Sequence, residues 1–397
     1  MAVVLRVYKF RLYPTHAQEA ALGTLLGRLR FFYNAALQER RDGYRQGVKV
    51  TRATQEKAIT VVKHDPDCPD YAGIHTHLLQ DVLKRLDLAF DAFFRRIKAG
   101  GTPGYPRFKR RGRYETFTLK DAGKGNGAAV VSGGARVRLH GIGNVKIKQH
   151  REMEGVLKTL GVTRDGDGHW YALITREVPA KPLPATGVSV GIDVGLTTFA
   201  ALSDGELVAN PRPLKTVRIA VERAQRKVSR RKRGSKRRGK ARRLLAGRHA
   251  HVRNTRKDFH HKTARAIVQK YDRIAVEDLN VNGLARGMLA QSVHDAGWSQ
   301  FVAILTSKAE EAGREVKRVD PNGTSQECSA CGERVPKALG VRVHRCPCGY
   351  TEDRDVNAAR NIHDRAFAVT GLGRSLRGGA PARDSGDPRS PYLTVGR

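Results

Sequence analysis

Three acidic residues stand where the predicted secondary structure changes, and carboxylates of this kind can bind metal ions. Asp193 and Glu277 each end a short apolar segment typical of a buried strand, and Asp355 opens a predicted helix. A carboxylate at the end of an apolar strand is costly unless it is paired or binds a metal. Mg²⁺ prefers oxygen ligands, and two ions roughly 3.5–4 Å apart can activate a water and stabilise the leaving oxygen of a phosphodiester. The pattern predicts a catalytic two-ion Mg²⁺ site built from these three residues.

Each acid taken alone also has a purely structural interpretation. Glu277 can cap the end of its strand, with Asp278 as a solvated neighbour. Asp355 can be a helix N-cap that accepts backbone N–H groups. For any single acid the structural interpretation is favoured. The three together, in the order strand, strand and helix, favour a shared site.

Four of the five cysteines form two closely spaced pairs late in the chain: Cys328, Cys331, Cys346 and Cys348. Four thiolates about 2.3 Å from a central ion, in a tetrahedron, form the usual structural zinc site. A disulfide is disfavoured in the cytoplasmic protein that we expect. Only Pro347 separates the second pair, so His344 stays open as a substitute zinc ligand. The isolated Cys68 is expected to be inert.

The charge balance points to a polyanionic partner. The 397 residues include 74 Lys and Arg against 38 Asp and Glu, which gives a formal charge of +36. A compact protein with this charge repels itself unless a polyanion neutralises it. A membrane is disfavoured because no apolar run of about 18 residues is present. Nucleic acid is favoured, although the charge alone would also fit a protein that binds RNA passively.

The positive charge is concentrated in residues 223–257, which hold 17 Lys or Arg and no acid. Like charges four residues apart weaken a bare helix, and phosphate contacts would remove that cost. A second basic patch lies nearer the N-terminus, and Tyr8, Phe10 and Tyr13 can stack on bases or pack in a core. The predicted nucleic-acid-binding residues are Arg226, Lys227, Arg230, Arg231, Lys232, Arg233, Lys236, Arg237, Arg238, Lys240, Arg242 and Arg243, with Arg107, Lys109 and Arg110 in the second patch.

The first half of the sequence predicts a strand, a helical unit and a group of short strands. The strand covers Val3–Tyr13, and Thr15 with Gln18 fits a capping box for the helix that follows. A second helix is expected over His77–Lys98. From Tyr114 onward, alternating segments with turn signals favour a small β-barrel of the oligonucleotide-binding sort. If the first strand pairs with this barrel, the helical unit is an insertion.

The second half predicts a second α/β unit that begins after a proline-containing linker at 180–185. Strands end at Asp193 and Glu277, a helix covers Trp298–Ala312, and the last helix starts near Asp355. The segment from Gly371 is rich in Gly, Arg, Ser and Pro, which predicts disorder. The N-terminus lacks the layout of a signal peptide, so a prokaryotic cytoplasmic protein is expected.

Six short segments in a fixed order carry a resemblance to a known family: Tyr8–Thr15, Gly104–Lys109, Gly191–Gly195, Ala275–Leu279, Thr324–Gly332 and Asp353–Ile362. Together they span about 360 residues and resemble the TnpB family of transposon-encoded RNA-guided DNA nucleases, also called OrfB-type transposases. They also resemble the related small type V CRISPR effectors. The family pattern Asp-x-Asn-Ala-Ala selects Asp355 rather than Asp353 as the third acid. The Cys-Pro-Cys pair departs from the family, whose second knuckle is usually C-x2-C.

The resemblance implies a mixed α/β fold with β-barrel and helical parts. Its nuclease domain would be RNase H-like, of the RuvC type, and would carry a zinc-ribbon insert. The N-terminal wedge barrel would carry a helical recognition insertion. The expected domains are a wedge barrel (1–13 and 103–185), a recognition domain (14–102), a nuclease domain (186–320 and 353–370), a target-binding zinc ribbon (321–352) and a disordered tail (371–397).

The resemblance also implies the activity and the partners. A guide RNA, from a transposon end or a CRISPR array, would direct Mg²⁺-dependent cutting of double-stranded target DNA beside a short flanking motif. Zn²⁺ would be structural. Two alternatives remain: an RNA-guided repressor that binds DNA without cutting, and a transposase that joins strands by RNase H-like chemistry. The sequence does not distinguish a monomer from a homodimer.

Overall fold

The computed structural model describes residues 3–122, 127–131, 133, 135–338 and 340–367. The segment 371–397, predicted to be disordered, lies outside the described residues. The chain divides into two compact units, one up to Pro179 and one from Ala180 onward. Within the described ranges, no helix combines the length and apolar character needed to cross a bilayer.

The first unit contains a seven-stranded, nearly closed antiparallel sheet with the order β2-β6-β7-β1-β5-β4-β3. Its first strand, β1, lies between β7 and β5, so the N-terminal strand pairs with the later strands. Tyr8, Phe10 and Leu12 point into the core, whereas the alternate residues Val3 and Leu5 are exposed. The strands are β1 (Val3–Tyr13), β2 (Thr116–Lys120), β3 (Ala128–Val130), β4 (Arg136–Leu139), β5 (Gly143–Lys148), β6 (Val156–Arg164) and β7 (Trp170–Pro179).

Three helices lie between β1 and β2 in the chain: α1 (His16–Arg45), α2 (Arg52–His64) and α3 (Thr76–Lys98). The predicted capping box at Thr15 and Gln18 is present at the start of α1. Sequence patterning missed α2 because it buries only Gln55 and Ile59. The amide of Gln55 instead donates to the backbone oxygen of Ala36 at 2.9 Å, which joins α2 to α1. A single apolar residue and one buried amide leave no apolar stripe to detect.

The second unit is built on a five-stranded mixed sheet with the order β10-β9-β8-β11-β12. Strand β8 is central, antiparallel to β9 and parallel to β11, and β11 is parallel to β12. A small β13–β14 hairpin lies in the cysteine segment. The strands are β8 (Ser189–Val194), β9 (Thr198–Leu202), β10 (Leu207–Ala209), β11 (Arg273–Glu277), β12 (Glu315–Val319), β13 (Val343–Arg345) and β14 (Thr351–Asp353).

Six helices of the second unit are described: α4 (Pro213–Ser229), α5 (Lys236–Lys270), α6 (Val281–Leu284), α7 (Ala290–Ala296), α8 (Trp298–Ala312) and α9 (Arg354–Phe367). The core lies where α5 and α8 pack with the sheet, around Phe199, Ile267 and Phe301. The charge-rich helix α5 is therefore anchored by its C-terminal part.

The segment predicted as a linker is hydrogen-bonded to the second unit. The backbone N–H groups of Lys181 and Leu183 donate to the carbonyls of Glu311 and Ala312 at the end of α8. Just beyond it, the Asp272 carboxylate accepts the N–H groups of Thr186 and Gly187. Two prolines exclude regular structure here, but the remaining backbone donors still find partners.

Helix α9 packs directly on the central strand at Gly191. A Cβ atom on Gly191 would collide with the backbone oxygen of Ala359 and would lie 2.5 Å from the backbone nitrogen of His363. The helix backbone therefore touches the strand, and only glycine leaves room for it. This contact sets the distance of α9 from β8.

We expect Gly191→Ala to lower the free energy of unfolding by about 1–3 kcal/mol or more, because two backbones must separate. Gly239→Ala is the control, since Gly239 lies in α5 with no atom within 4 Å of its Cβ position. That change should be neutral or stabilising by up to about 1 kcal/mol. Thermal and denaturant unfolding of both variants would measure the difference, and equal stabilities would contradict the close packing of α9 on β8.

Candidate functional site

Asp193 and Glu277 lie side by side at the ends of two adjacent parallel strands. In the register of β8 and β11, Ile192 pairs with Val276, so the next residue on each strand is one of the two acids. Adjacent strands are about 4.8 Å apart, and paired residues point to the same face. Both acids are partly buried. Asp193 and Glu277 are 84 positions apart in the sequence, and the parallel pairing of β8 with β11 brings them together.

Asp355 reaches the same end of the sheet from α9. It lies in the first turn of that helix, which is fixed on β8 by the contact at Gly191. Its Oδ2 atom is 3.8 Å from the position that a Cβ atom on Gly195 would take. Gly195 follows Asp193 by two residues in the turn between β8 and β9. The structure thus brings the three predicted acids together around the end of β8.

Asp353, not Asp355, caps helix α9. Its Oδ1 atom accepts the backbone N–H groups of Asp355 and Val356 at 2.8 and 3.2 Å. These are the second and third residues of the helix, the usual donors to an N-cap side chain. The capping interpretation of Asp355 is therefore wrong. Its carboxylate is left to face the other acids.

Burial and like charge raise the pKa of the carboxyl groups at this site. Burial raises the pKa of Asp193 well above its usual range, and the charges of Glu277 and Asp355 raise it further. Burial also raises the pKa of Glu277 and of Asp355. Of the three groups, Asp193 is the one whose pKa is raised by the charges of both other acids. A divalent cation would relieve this repulsion because it favours the ionised form of each ligand.

Two polar residues that sequence reasoning missed contact these acids. The Thr324 hydroxyl hydrogen-bonds to Oε1 of Glu277, and the Arg342 guanidinium lies 3.4 Å from Oδ2 of Asp355. Arg342 also donates to the Thr197 hydroxyl at 2.6 Å. Both residues lie in the segment between β12 and α9. The only sequence signal was that Thr324 begins one of the six segments named above.

In the described part of the chain, one group of three or more possible metal ligands has all its ligand atoms within 4.8 Å of one another, and it consists of the four cysteines.

The four cysteine sulfurs form a compact cluster that fits a zinc site. Cys328 and Cys348 are 3.8 Å apart at their sulfurs, and Cys331 and Cys346 are 3.5 Å apart. A tetrahedron with zinc–sulfur bonds of 2.3 Å has edges of roughly 3.8 Å. The short Cys-Pro-Cys pair therefore supplies both of its sulfurs without help from a histidine.

His344 lies outside this cluster. Its ring is fully buried, its Nδ1 atom contacts the Lys337 amine, and its Nε2 atom has no hydrogen-bond partner among the described residues. The cluster is closed by backbone turns: the N–H of Cys346 donates to the oxygen of Tyr350 at 2.9 Å. A hydrogen bond from the Tyr350 backbone lowers the pKa of Cys348 to about 7, which favours its thiolate form.

Two buried asparagines of α9 connect the acidic site with the cysteine cluster. Asn357 accepts from the N–H of Ser329 at 2.9 Å and donates to the oxygen of Glu327 at 2.7 Å. Asn361, one turn further on, donates to the oxygens of Thr324 and Glu327 at 2.9 and 2.8 Å. The helix that carries Asp355 thus also holds the chain entering the cluster.

The predicted basic residues lie on α4, α5 and the turn between them. All of them are exposed except Arg238, which is partly exposed. The long helix α5 buries its C-terminal part, including His260 and Ile267, and leaves its N-terminal part in solvent. Its first turns therefore present charge away from the core, as a surface that could contact phosphates.

The second basic patch is only partly available for binding. Arg107 and Arg110 are exposed, whereas the backbone of Lys109 exchanges two hydrogen bonds with the Asn34 side chain, at 2.8 and 3.1 Å. Of the aromatic residues considered for stacking, Phe10 is fully buried and Tyr8 is 2% exposed. Tyr13 alone of the three is exposed, at 44%.

Three family models match successive parts of the chain. Residues 171–288 match the OrfB_IS605 model, described as a probable transposase, and residues 298–362 match a Cas12f1-like TNB domain. Residues 1–49 match a helix-turn-helix domain. In the structure, that last range contains strand β1 and the whole of helix α1.

Curated relatives match nearly the whole chain. A putative RNA-guided DNA endonuclease of Streptomyces pristinaespiralis is 34% identical over 394 residues, which covers 97% of this chain and 94% of the relative. A putative RNA-guided DNA endonuclease of Escherichia coli K12, InsQ, is 29% identical and covers 96% of each chain.

Among solved structures, the protein in a cryo-EM complex of Cas12f1 with single guide RNA and target DNA has a similar fold. The TM-score is 0.55, the sequence identity is 13%, and the match covers 91% of this chain and 99% of that one. At this identity the likeness concerns the fold alone.

We expect Cys346→Ser to lose most of its zinc, because removing one of four convergent sulfurs opens the site. His344→Gln should retain about one zinc per chain, as should the control Cys68→Ser. Elemental analysis of the purified proteins would measure the metal. Zinc loss in His344→Gln equal to that in Cys346→Ser would show that the histidine is a ligand after all.

Proposed function

The chain belongs to the TnpB-like, OrfB-type family of putative RNA-guided DNA endonucleases, and we propose that it cuts DNA at a divalent-metal site formed by Asp193, Glu277 and Asp355. The observation that carries the site is the placement of Asp193 beside Glu277 on parallel strands, with Asp355 brought to the same end by α9.

The proposed nuclease domain is RNase H-like, of the RuvC type. Its support is the topology of the second unit: a central strand followed by two antiparallel strands, then two parallel strands on the other side. The acids lie at the end of the central strand, at the end of its parallel neighbour and at the start of a helix packed across it. Because β8 and β11 are adjacent and parallel, acids that are distant in the sequence lie at the same end of the sheet.

The three carboxylates fit magnesium in type. They offer the oxygen atoms that Mg²⁺ prefers, and three convergent carboxylates could hold two ions roughly 3.5–4 Å apart. Bound Mg²⁺ would supply the charge stabilisation that phosphodiester hydrolysis requires. Neighbouring residues would orient the carboxylates that hold the ions. Thr324 contacts Glu277, and Arg342 contacts Asp355. Asp353 caps the helix turn that carries Asp355.

The remaining parts are proposed to bind nucleic acid. The barrel (1–13 and 103–185) would be the wedge and the helices of 14–102 the recognition insertion. Residues 186–320 and 353–370 would form the nuclease domain, and 321–352 the zinc-ribbon insert. The exposed cations of α4 and α5 would bind the phosphates of the guide RNA or of its duplex with target DNA.

A strand-joining transposase is the second candidate, because one matching family is described as a probable transposase. Strand joining could use the same acids, so the site alone does not separate the two functions. Joined products formed without RNA would favour the transposase. A repressor that does not cut is disfavoured because all three acids are present and lie together.

We expect Asp193→Ala to reduce guide-dependent cleavage at least about a thousandfold, since several kcal/mol of charge stabilisation would be lost. RNA binding should be unchanged. The melting temperature should not fall: an acid whose folded pKa is raised costs stability above its unfolded pKa, and its removal relieves that cost. The measurements are cleavage of a labelled target, RNA binding and thermal unfolding.

The control for this experiment is Asp258→Ala, which removes an exposed acid of α5 that pairs with Lys262. It should cut as the parent protein does. Cleavage by Asp193→Ala at the rate of the parent protein would contradict the proposed acid site. Without RNA, none of the three proteins should cleave the target.

We expect changing Lys236, Arg237 and Lys240 together to Gln to weaken RNA binding. The slope of log affinity against log salt should become shallower by about 2, at about 0.7 per lost phosphate contact. A comparison variant changes three exposed lysines of the proposed recognition insertion, Lys49, Lys57 and Lys84, and matches the loss of charge. Filter binding across a salt series would measure both, and a slope for the α5 variant equal to that of the parent protein would refute a role for α5.

A further inference from the structure

Thr324 lies in a turn that brings the chain back over the acidic site. Strand β12 pairs in parallel with β11, with Val319 opposite Glu277. The chain then turns through Gly323, whose φ of +78° is in the left-handed region that favours glycine. Five residues after Val319, the Thr324 hydroxyl therefore reaches Glu277, although the two residues are 47 positions apart.

The hydroxyl of Thr324 has one proton and two neighbouring acceptors. One is Oε1 of Glu277, and the other is the backbone oxygen of Pro321 at 3.1 Å. An ionised carboxylate is the stronger acceptor, and hydrogen bonds to charged groups are about twice as strong as neutral ones. When Glu277 is ionised and binds a cation, the Thr324 hydroxyl therefore donates its hydrogen bond to Glu277 and not to Pro321. This bond fixes one carboxylate oxygen and leaves the other lone pairs for the ion.

Thr324 is itself held firmly. It is 3% exposed, and its backbone oxygen accepts from Asn361, a fully buried residue of α9. The same amide of Asn361 donates to the oxygen of Glu327, immediately before Cys328. Helix α9 thus fixes the hydroxyl that faces Glu277, carries Asp355, and holds the start of the cysteine cluster.

We propose that Thr324 is a positioning residue for Glu277, so that the segment leading into the cysteine cluster forms part of the divalent-metal site. This inference rests on the proposed function, because it assumes that Glu277 binds a metal. Thr324 touches neither the ion nor the substrate. It acts by holding the carboxylate of Glu277 in the orientation that binds the ion.

The test compares Thr324→Val, which removes the hydroxyl at nearly constant volume, with Thr324→Ser, which keeps it. Thr263→Val is the matched control, because Thr263 is 2% exposed and its hydroxyl has no partner among the described residues. Mn²⁺ serves as the probe, and its binding to the guide-loaded protein is measured by electron paramagnetic resonance. Zinc content and thermal unfolding are measured in parallel.

We expect Thr324→Val to bind Mn²⁺ about tenfold more weakly or worse, the loss typical of one hydrogen bond to a charged group. The Mg²⁺ concentration for half-maximal cleavage should rise by a similar factor. Thr324→Ser and Thr263→Val should stay within about twofold of the parent protein, with zinc unchanged in all three. A purely structural role for Thr324 would instead lower stability and leave Mn²⁺ binding unaltered.

A Glu277→Gln variant separates this inference from the proposed function. If Glu277→Gln weakens Mn²⁺ binding and Thr324→Val does not, the positioning role is overturned and the metal site stands. If Glu277→Gln binds Mn²⁺ as the parent does, the metal site itself is wrong and the inference falls with it. Should Thr324→Val fail to fold, Thr324→Ala and Thr324→Ser provide the same comparison, since they differ by one hydroxyl.

Discussion

The repulsion between neighbouring carboxylates is the constraint on which the second unit depends. Asp193 and Glu277 are placed side by side by a parallel strand pair, and a third acid is added from α9. Such a cluster opposes folding when its members are ionised, as the raised pKa values indicate. A protein can keep it only if the rest of the fold is stable enough to hold it. Carboxylates kept together against that cost indicate a task that needs them ionised and close.

Helix α9 provides most of that support, and each of its contacts depends on residue spacing. Its backbone meets β8 at Gly191, through Ala359 and His363, four residues apart on one face. Asn357 and Asn361 repeat this spacing on the face that holds the cysteine segment. The N-cap Asp353 starts the helix so that Asp355 falls in its first turn. A shift of one residue would move all these groups by about 100° around the helix.

Local signals in the sequence predicted the elements and the chemistry, but not the contacts between distant segments. The first strand, the capping box at Thr15 and the paired cysteines depend on neighbouring residues, and they were predictable. Helix α2 was not, since it buries a hydrogen-bonded glutamine instead of an apolar stripe. The apolar stripe of α3 continues in the sequence to Ile97, yet Phe94 and Ile97 are 54% and 47% exposed, so periodicity alone does not show where burial ends.

The acidic site shows the same division. The three acids were named from strand ends and a helix start, whereas Thr324 and Arg342 were missed. Neither has a local pattern that marks it, because Thr324 reaches the site through the turn after β12 and Arg342 through the segment between the two cysteine pairs. The family pattern already separated Asp355 from Asp353, and the structure adds that Asp353 is the N-cap of the helix whose first turn contains Asp355.

Helix α5 keeps the basic residues of the second unit away from its acidic site. Its C-terminal part packs in the core beside α8, and its N-terminal part extends the cations into solvent. A helix this basic would be weakened by its own repulsion in isolation, so the buried part must stabilise the whole. The core thereby supports two unfavourable groupings at once: acids at the sheet edge and bases along α5. Each would be neutralised by a ligand of opposite charge, divalent cations in one case and a nucleic-acid backbone in the other. Under the proposed function, divalent cations at the acids would reduce their repulsion of a phosphate chain, so the two ligands would favour each other's binding.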